Sequence, residues 1–338
     1  MDRRRFLAII LLVIAIILII SVPVWLFTPL GANVLNSGPD DPPLTPLAYT
    51  PSPRPTPQAV LVPKGAPGPI TATEAILMDA DTGNILYEKN AYTPVPMAST
   101  TKIMTALIAI RAGKLDQMVT VGQDAVEETA GGVGSSAQLV KGDQIKLQDL
   151  LYGLMLPSGD DAAVAIADAI AGSPQNFVTI MNAEAQRLHL FQTRYYNVDG
   201  LEAVDNQGNI IPGVHYTTPY DLVRLARYAM SIPLFAKVVQ TKEYDLPPTS
   251  THHAYTWTNI NPLLSHFNGA IGIKTGWTPQ AGGCLVAAAK RNGHTLISVV
   301  LHATGPANTM NQDDQARSAD TEILLNWGFR LPILPQPS

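Results

Sequence analysis

From Phe6 to Phe27 the chain carries no charged side chain, and Arg3, Arg4 and Arg5 stand directly before that run. Only Ser21 and Pro23 interrupt its apolar character. A helix rising about 1.5 Å per residue would reach roughly 33 Å over this stretch, enough for a hydrocarbon core of about 30 Å. Arginine-rich flanks stay on the cytoplasmic side of a membrane. The sequence therefore predicts a cytoplasmic tail over residues 1–5, a single-pass transmembrane helix over residues 6–27, and an extracytoplasmic remainder held at the cell membrane. A cleaved signal peptide ending at Leu30-Gly31-Ala32 is the other reading. Against it, the apolar region of a signal peptide is normally about 7–15 residues long and its cleavage site is small-x-small, whereas Leu30 is large.

After this run the composition changes abruptly. Over residues 36–69 prolines such as Pro42, Pro43, Pro51, Pro53, Pro55 and Pro57 fall among Thr, Ser and Gly. A segment of this kind buries too little apolar surface to fold and favours extended polyproline geometry. It reads as a stalk, able at about 3.1 Å per residue to span roughly 100 Å. A proline-rich ligand is the rival reading, and adjacency to an anchor favours the spacer.

From Ile70 the pattern is globular. Residues 75–79 and 84–87 flank Asp81-Thr82-Gly83 as a hairpin, and residues 284–290 and 295–302 are apolar runs joined through Arg291-Asn292-Gly293, a strong hairpin signal. Between these pairs lie helical patterns over residues 99–112, 147–155, 161–171, 177–190 and 219–230, and a last helix is expected over 314–327. Neither set of strands has a full core alone. The economical reading is one α+β domain over residues 70–335, with an antiparallel sheet built from both chain ends around a helical insert.

Several chemistries are excluded early. A net charge of -5 with 14% charged residues offers no field for nucleic acid. A single cysteine, Cys284, supports neither an internal disulfide nor a thiolate metal cluster. There is no G-x-S-x-G elbow, P-loop or H-E-x-x-H, and the 7 histidines have no metal-like spacing. No metal or organic cofactor is implied.

Three short elements carry the chemistry instead. In Ser99-Thr100-Thr101-Lys102 the spacing of three puts hydroxyl and amine on one helical face. A serine becomes a nucleophile when a neighbouring group takes its proton, and a lysine can do so once burial or a second cation disfavours its charged form. Taken alone, the same letters also describe a capping serine and a surface lysine. Lys274-Thr275-Gly276, expected on an edge strand, would supply that second cation, a positive anchor for a substrate carboxylate, a hydroxyl donor, and a glycine that lets a substrate backbone come close. Ser158-Gly159-Asp160 lies between two helices, where Ser158 could relay a proton between Ser99, Lys102 and a leaving nitrogen.

Order, spacing and flanks together resemble the low-molecular-mass D-alanyl-D-alanine carboxypeptidases, penicillin-binding proteins of peptidase family S11, whose motifs are S-x-x-K, S-x-N and K-T-G. The resemblance covers about Ile70 to Arg330 and includes Met97 to Ala106, Leu156 to Ala163, Asn197 to Leu201, Thr217 to Leu222, Gly272 to Thr278 and Ala281 to Ala287. It implies a penicillin-binding/β-lactamase-like serine transferase fold. It also implies a peptidoglycan stem peptide ending in D-Ala-D-Ala as substrate, and β-lactams as covalent inhibitors. By the same resemblance Ser99 is the acylated nucleophile and Lys102 its general base. The backbone N–H groups of Ser99 and Trp277 form the oxyanion hole, and Lys274 and Thr275 hold the terminal carboxylate, with Arg317 either assisting them or being a solvated helix arginine.

The pattern departs from the family at Asp160, where asparagine is usual. An asparagine can donate to a substrate carbonyl, whereas an ionised aspartate only accepts, and a carboxylate beside Lys102 would oppose its work as a base. Asp160 or Asp161 capping the following helix is the structural alternative. Two other functions remain beside the carboxypeptidase. One is a β-lactamase, whose E-x-x-L-N string occurs here only as Glu322 to Asn326, after Lys274 instead of before it. The other is a non-catalytic wall- or penicillin-binding homologue in which Asp160 marks lost turnover.

Overall fold

The computed structural model describes residues 60–334 apart from Val133, Asn206 and Asn308. The expected transmembrane helix over 6–27 and most of the expected stalk lie outside the described residues. Among the described residues no helix is long and apolar enough to cross a membrane.

The strand pattern read from both ends of the globular part closes into one five-stranded antiparallel sheet. Its members are β2 (Glu74–Asp79), β3 (Ile85–Lys89), β8 (Ala270–Thr278), β9 (Gly282–Arg291) and β10 (His294–Ala303), in the order β3-β2-β10-β9-β8. Strand side chains alternate between faces, and here both faces are covered. Ile76, Met78, Cys284, Val286, Ile297 and Val299 face the larger core, whereas Ala75, Leu77, Leu285, Ala287, Leu296 and Val300 face the smaller one. This explains why the runs read as continuously apolar. Asn292 and Gly293 both adopt positive φ in the β9–β10 turn, as the two-residue hairpin signal requires.

The larger core is completed by the helical insert. It holds α1 (Lys102–Arg111), the short α2 (Gln123–Glu128), α3 (Leu147–Met155), α4 (Asp160–Ala171), α5 (Pro174–Arg187), α6 (Pro219–Met230) and α7 (Pro233–Gln240). Ile103 and Leu107 of α1, Leu150 and Leu154 of α3, Ala163 and Ile166 of α4, and Leu222 of α6 are all buried there. The smaller core lies under the terminal helix, which after α8 (Leu263–His266) is α9 (Met310–Gly328), contributing Leu324, Leu325 and Trp327.

Three strand pairs stand outside the main sheet. β4 (Met118–Thr120) pairs with β5 (Gln144–Lys146), and β6 (Glu243–Leu246) with β7 (Tyr255–Thr258). The third corrects the expected boundary of the stalk at residue 69. β1 (Val60–Leu61) pairs antiparallel with β11 (Ile333–Leu334), Leu61 is buried, and the Val62 N–H donates to the Pro332 carbonyl at 3.0 Å. Val60-Leu61-Val62 is a short apolar run within the proline-rich stretch, and a paired strand edge gives it somewhere to bury. The domain therefore includes Val60 and Leu61, ahead of Ile70.

Candidate active site

Ser99 lies in a 3₁₀ turn, Ala98–Thr101, that leads directly into α1. The helix expected from Ser99 thus starts at Lys102, yet the spacing keeps its consequence: Lys102 Nζ donates to Ser99 Oγ at 2.9 Å. Lys102 is completely buried, and its amine also donates to the Asp199 backbone carbonyl at 2.8 Å and to Asp160 Oδ1 in a short ion pair. Three acceptors for three N–H bonds is the coordination of an ammonium group.

Asp160 opens α4 but caps nothing; no side chain caps that helix. Its second oxygen accepts from the Ser135 N–H at 2.8 Å. Its neighbour Asp161 accepts from the Ala137 and Leu139 N–H groups at 2.8 and 3.1 Å and from the Ser136 hydroxyl at 2.7 Å, so it fastens the loop before β5, and it also accepts from the Ala162 N–H in the first turn of α4 at 2.8 Å. The capping reading is therefore corrected for Asp160, whereas Asp161 keeps one bond to the first turn of α4. Both carboxylates reach across to a loop whose backbone donors have no other use.

Ser158 sits in the connection between α3 and α4 with φ +69, a conformation rare for a side chain other than glycine. Its hydroxyl is buried and without a hydrogen-bond partner among the described residues. A buried, unpaired hydroxyl costs about 1–3 kcal/mol, which a proton in transit or a substrate atom can recover.

Lys274, Thr275, Gly276 and Trp277 run along β8, the edge strand of the sheet, as expected for the K-T-G element. A Cβ on Gly276 would lie 3.0 Å from the Ser99 nitrogen, so the strand passes against the nucleophile's own backbone. Arg317 on α9 is not a solvated helix arginine. It is 4% exposed, donates to the carbonyls of Gly276 and Cys284, and sits 2.7 Å from Asp314. The Trp277 indole donates to Asp313 at 2.9 Å, a second link from α9 to the same stretch of β8.

For Lys274 the electrostatics run opposite to the expected charged anchor. Burial, then the charges of Lys102 and Arg317, push the Lys274 amine well below the usual lysine range. Lys274 donates to the Thr275 carbonyl at 3.0 Å. Burial also pushes the Asp199 carboxyl up to about 7, with the Asp160 charge adding to it. An unfolded aspartate titrates near 3.9, so the stability linked to Asp199 is fully present below about pH 4 and is lost as pH rises through about 7. Asp199→Asn, whose side-chain oxygen can still accept from the Leu201 N–H, is expected to melt on the order of 5 °C above wild type at pH 8 and level with it at pH 4. Thermal unfolding at both values checks this, and an equal gain at both would contradict it.

Trp277, Thr278, Asp199, Leu201 and Ser135 line an open groove of about 1060 Å³ beside these groups. A separate hollow of about 850 Å³ between α6 and the sheet, lined by Arg224, Arg227 and Ile271, shares no wall residue with it. Glu322, the acid of the E-x-x-L-N string, lies on α9 and bonds His266 of α8, and the apolar side of α9 packs on the face of the sheet away from Ser99.

Residues 61–305 match the profile of the D-alanyl-D-alanine carboxypeptidases, peptidase S11. The chain belongs to peptidase family S11. This S11 peptidase is 38% identical over 274 residues to a D-alanyl-D-alanine carboxypeptidase of a Streptomyces strain, a match covering 78% of this chain and 88% of the relative. With DacF, a D-alanyl-D-alanine carboxypeptidase of Bacillus subtilis, identity is 33% and the match covers 76% of this chain but 62% of the relative. Among solved structures, a Streptomyces DD-transpeptidase superposes with a TM-score of 0.70 at 38% identity, covering 79% of this chain and 100% of that one. The penicillin-binding α+β fold read from the motifs is the fold of these S11 relatives.

In this S11 peptidase two site groups escaped the sequence. Asp199, whose carbonyl holds Lys102, belongs to the Asn197-to-Leu201 stretch noticed only for its letters, and no pattern marks a backbone oxygen as functional. His215, which bonds Thr101 at 2.7 Å, stands two residues before the Thr217-to-Leu222 stretch and carries no motif of its own.

Proposed function

We propose that the chain is a serine-type D-Ala-D-Ala carboxypeptidase that trims peptidoglycan stem peptides outside the cell membrane, tethered by its residues 6–27. The observation that carries this reading is the contact of the Ser99 hydroxyl with Lys102 beneath an edge strand bearing Lys274, Thr275 and Gly276. Ser99 Oγ attacks the carbonyl of the penultimate D-alanine, and its proton goes to the Lys102 amine, which reacts in its neutral form after losing a proton to solvent. The N–H groups of Ser99 and Trp277 hold the oxyanion, and the N-terminal end of α1 adds its partial positive charge. The C–N bond breaks, D-alanine leaves with a proton relayed by Ser158, and water hydrolyses the ester. A substrate carboxylate beside Lys274 offsets the burial that disfavours its charge, so Lys274 takes up a proton as substrate binds. Thr275 donates to the same carboxylate, and Arg317 acts by holding the strand that carries both.

The test uses the full-length protein in detergent with a peptide ending in D-Ala-D-Ala. Free D-alanine is expected from wild type and none above background from Ser99→Ala; equal release from both would sink the assignment. A second reading, a penicillin- or wall-binding homologue without turnover, is favoured by the Lys102–Asp160 ion pair. Stable labelling by fluorescent penicillin without D-alanine release would select it. The structure offers nothing in favour of a β-lactamase, since Glu322 lies on the far side of the sheet.

A further inference from the structure

Ala98 precedes the nucleophile with φ +47, a left-handed conformation that costs an L-residue about 1–2 kcal/mol. A chain of hydrogen bonds holds it there. The Tyr196 N–H donates to His215 Nδ1 at 3.0 Å, His215 Nε2 lies 2.7 Å from Thr101 Oγ1, and Thr101 Oγ1 donates to the Ala98 carbonyl at 2.8 Å. A backbone N–H can only donate, so Nδ1 is the acceptor and the proton sits on Nε2. With Nε2–H donating to Thr101, the hydroxyl proton is free for only one acceptor, the Ala98 oxygen. Every bond in the series has one direction.

The scaffold around His215 is equally fixed. Tyr216 bridges Arg194, and Thr217 exchanges both backbone bonds with Val95, so the segment bearing His215 is stitched to the stretch leading into the nucleophile turn. On the other side Gly200, with φ +99, lies so close that a Cβ there would fall 1.9 Å from the Ala98 oxygen. Burial, with the Lys102 charge nearby, pushes the His215 imidazole down to about 3, which keeps it neutral.

We infer that His215 is a positioning residue for acylation: through Thr101 it fixes the Ala98 carbonyl and thereby aims the Ser99 N–H at the oxyanion. The peptide unit between Ala98 and Ser99 is planar and trans, so its C=O and N–H point in opposite directions, and pinning one aims the other. His215 touches neither substrate nor nucleophile. The inference rests on the DD-peptidase reading above.

The experiment compares Thr101→Val, His215→Leu, their double variant and Thr101→Ser, each as full-length protein. It follows the second-order rate of penicillin labelling, kcat and KM for D-alanine release, and thermal unfolding. Thr101→Val and His215→Leu are each expected to lower labelling and kcat by about 10–100-fold with KM within about twofold, because only the transition state uses the misaimed donor. The double variant is expected to be no slower than the worse single one, since both act through one carbonyl. Thr101→Ser, which keeps the hydroxyl, should stay within about threefold of wild type. Multiplicative losses in the double variant, a rise in KM alone, or wild-type labelling by His215→Leu would overturn the inference. A wild type that neither labels nor releases D-alanine would instead overturn the DD-peptidase reading. In that event the ¹⁵N shifts of His215 still decide the geometry: an Nε2–H tautomer from pH 5 to 8 is expected, and titration or the Nδ1–H form refutes it.

Discussion

Lys102→Ala is expected to lower D-alanine release by on the order of 10³-fold and to destabilise the protein by about 3–5 kcal/mol. The two losses have different causes. Activity falls because the Ser99 proton has no acceptor within reach. Stability falls because Asp160, 1% exposed, keeps its charge inside the fold without the ammonium group that balanced it. Adding Asp160→Asn to Lys102→Ala removes that orphaned charge, so the double variant should regain most of the stability and none of the activity. Thermal unfolding and D-alanine release on the three proteins separate the effects. A double variant as unstable as the single one would show that the ion pair has no special weight in the fold.

Asp160→Asn alone is expected to act in the opposite direction on the chemistry and to speed penicillin labelling by about tenfold. In the wild type the Asp160 carboxylate and the Asp199 carbonyl hold Lys102 as an ammonium group, and acylation must wait for a proton to leave it. An asparagine keeps an oxygen for Ser135 or Lys102 and turns an NH₂ towards the substrate amide, the donor that an ionised aspartate lacks. A tenfold change corresponds to about 1.4 kcal/mol, small beside the several kcal/mol at stake when one charge of a buried pair is removed. Labelling slower than wild type would overturn this view and make Asp160 itself the group that draws the proton from Lys102.

Much of this was legible in the letters because the relevant rules are local. The Asn292-Gly293 turn dictates its hairpin, the spacing of Ser99 and Lys102 dictates their contact, and the apolar runs at both ends announce a shared sheet. The failures at the site share one cause. The partner of Asp160 depends on how α1 packs against α4, the burial of Arg317 on how α9 lies across the sheet, and the reach of Asp161 on a loop with no signature. These are long-range arrangements, and single-sequence periodicity carries no information about them. The short pairs β4–β5 and β6–β7 escaped for a different reason: with one buried residue at the centre of β4 and of β5, their alternation is too brief to read.

The clasp of β1 on β11 also fixes where the domain can be joined to anything else. Because the two strands run antiparallel, with Val60 opposite Leu334, the two ends of the described residues share one corner of the domain. Linking that corner by a short peptide and reopening the chain in a distant surface loop would yield a rearranged gene order with the same folded body. A reporter joined directly at Val60 or at Leu334 would emerge at the same place.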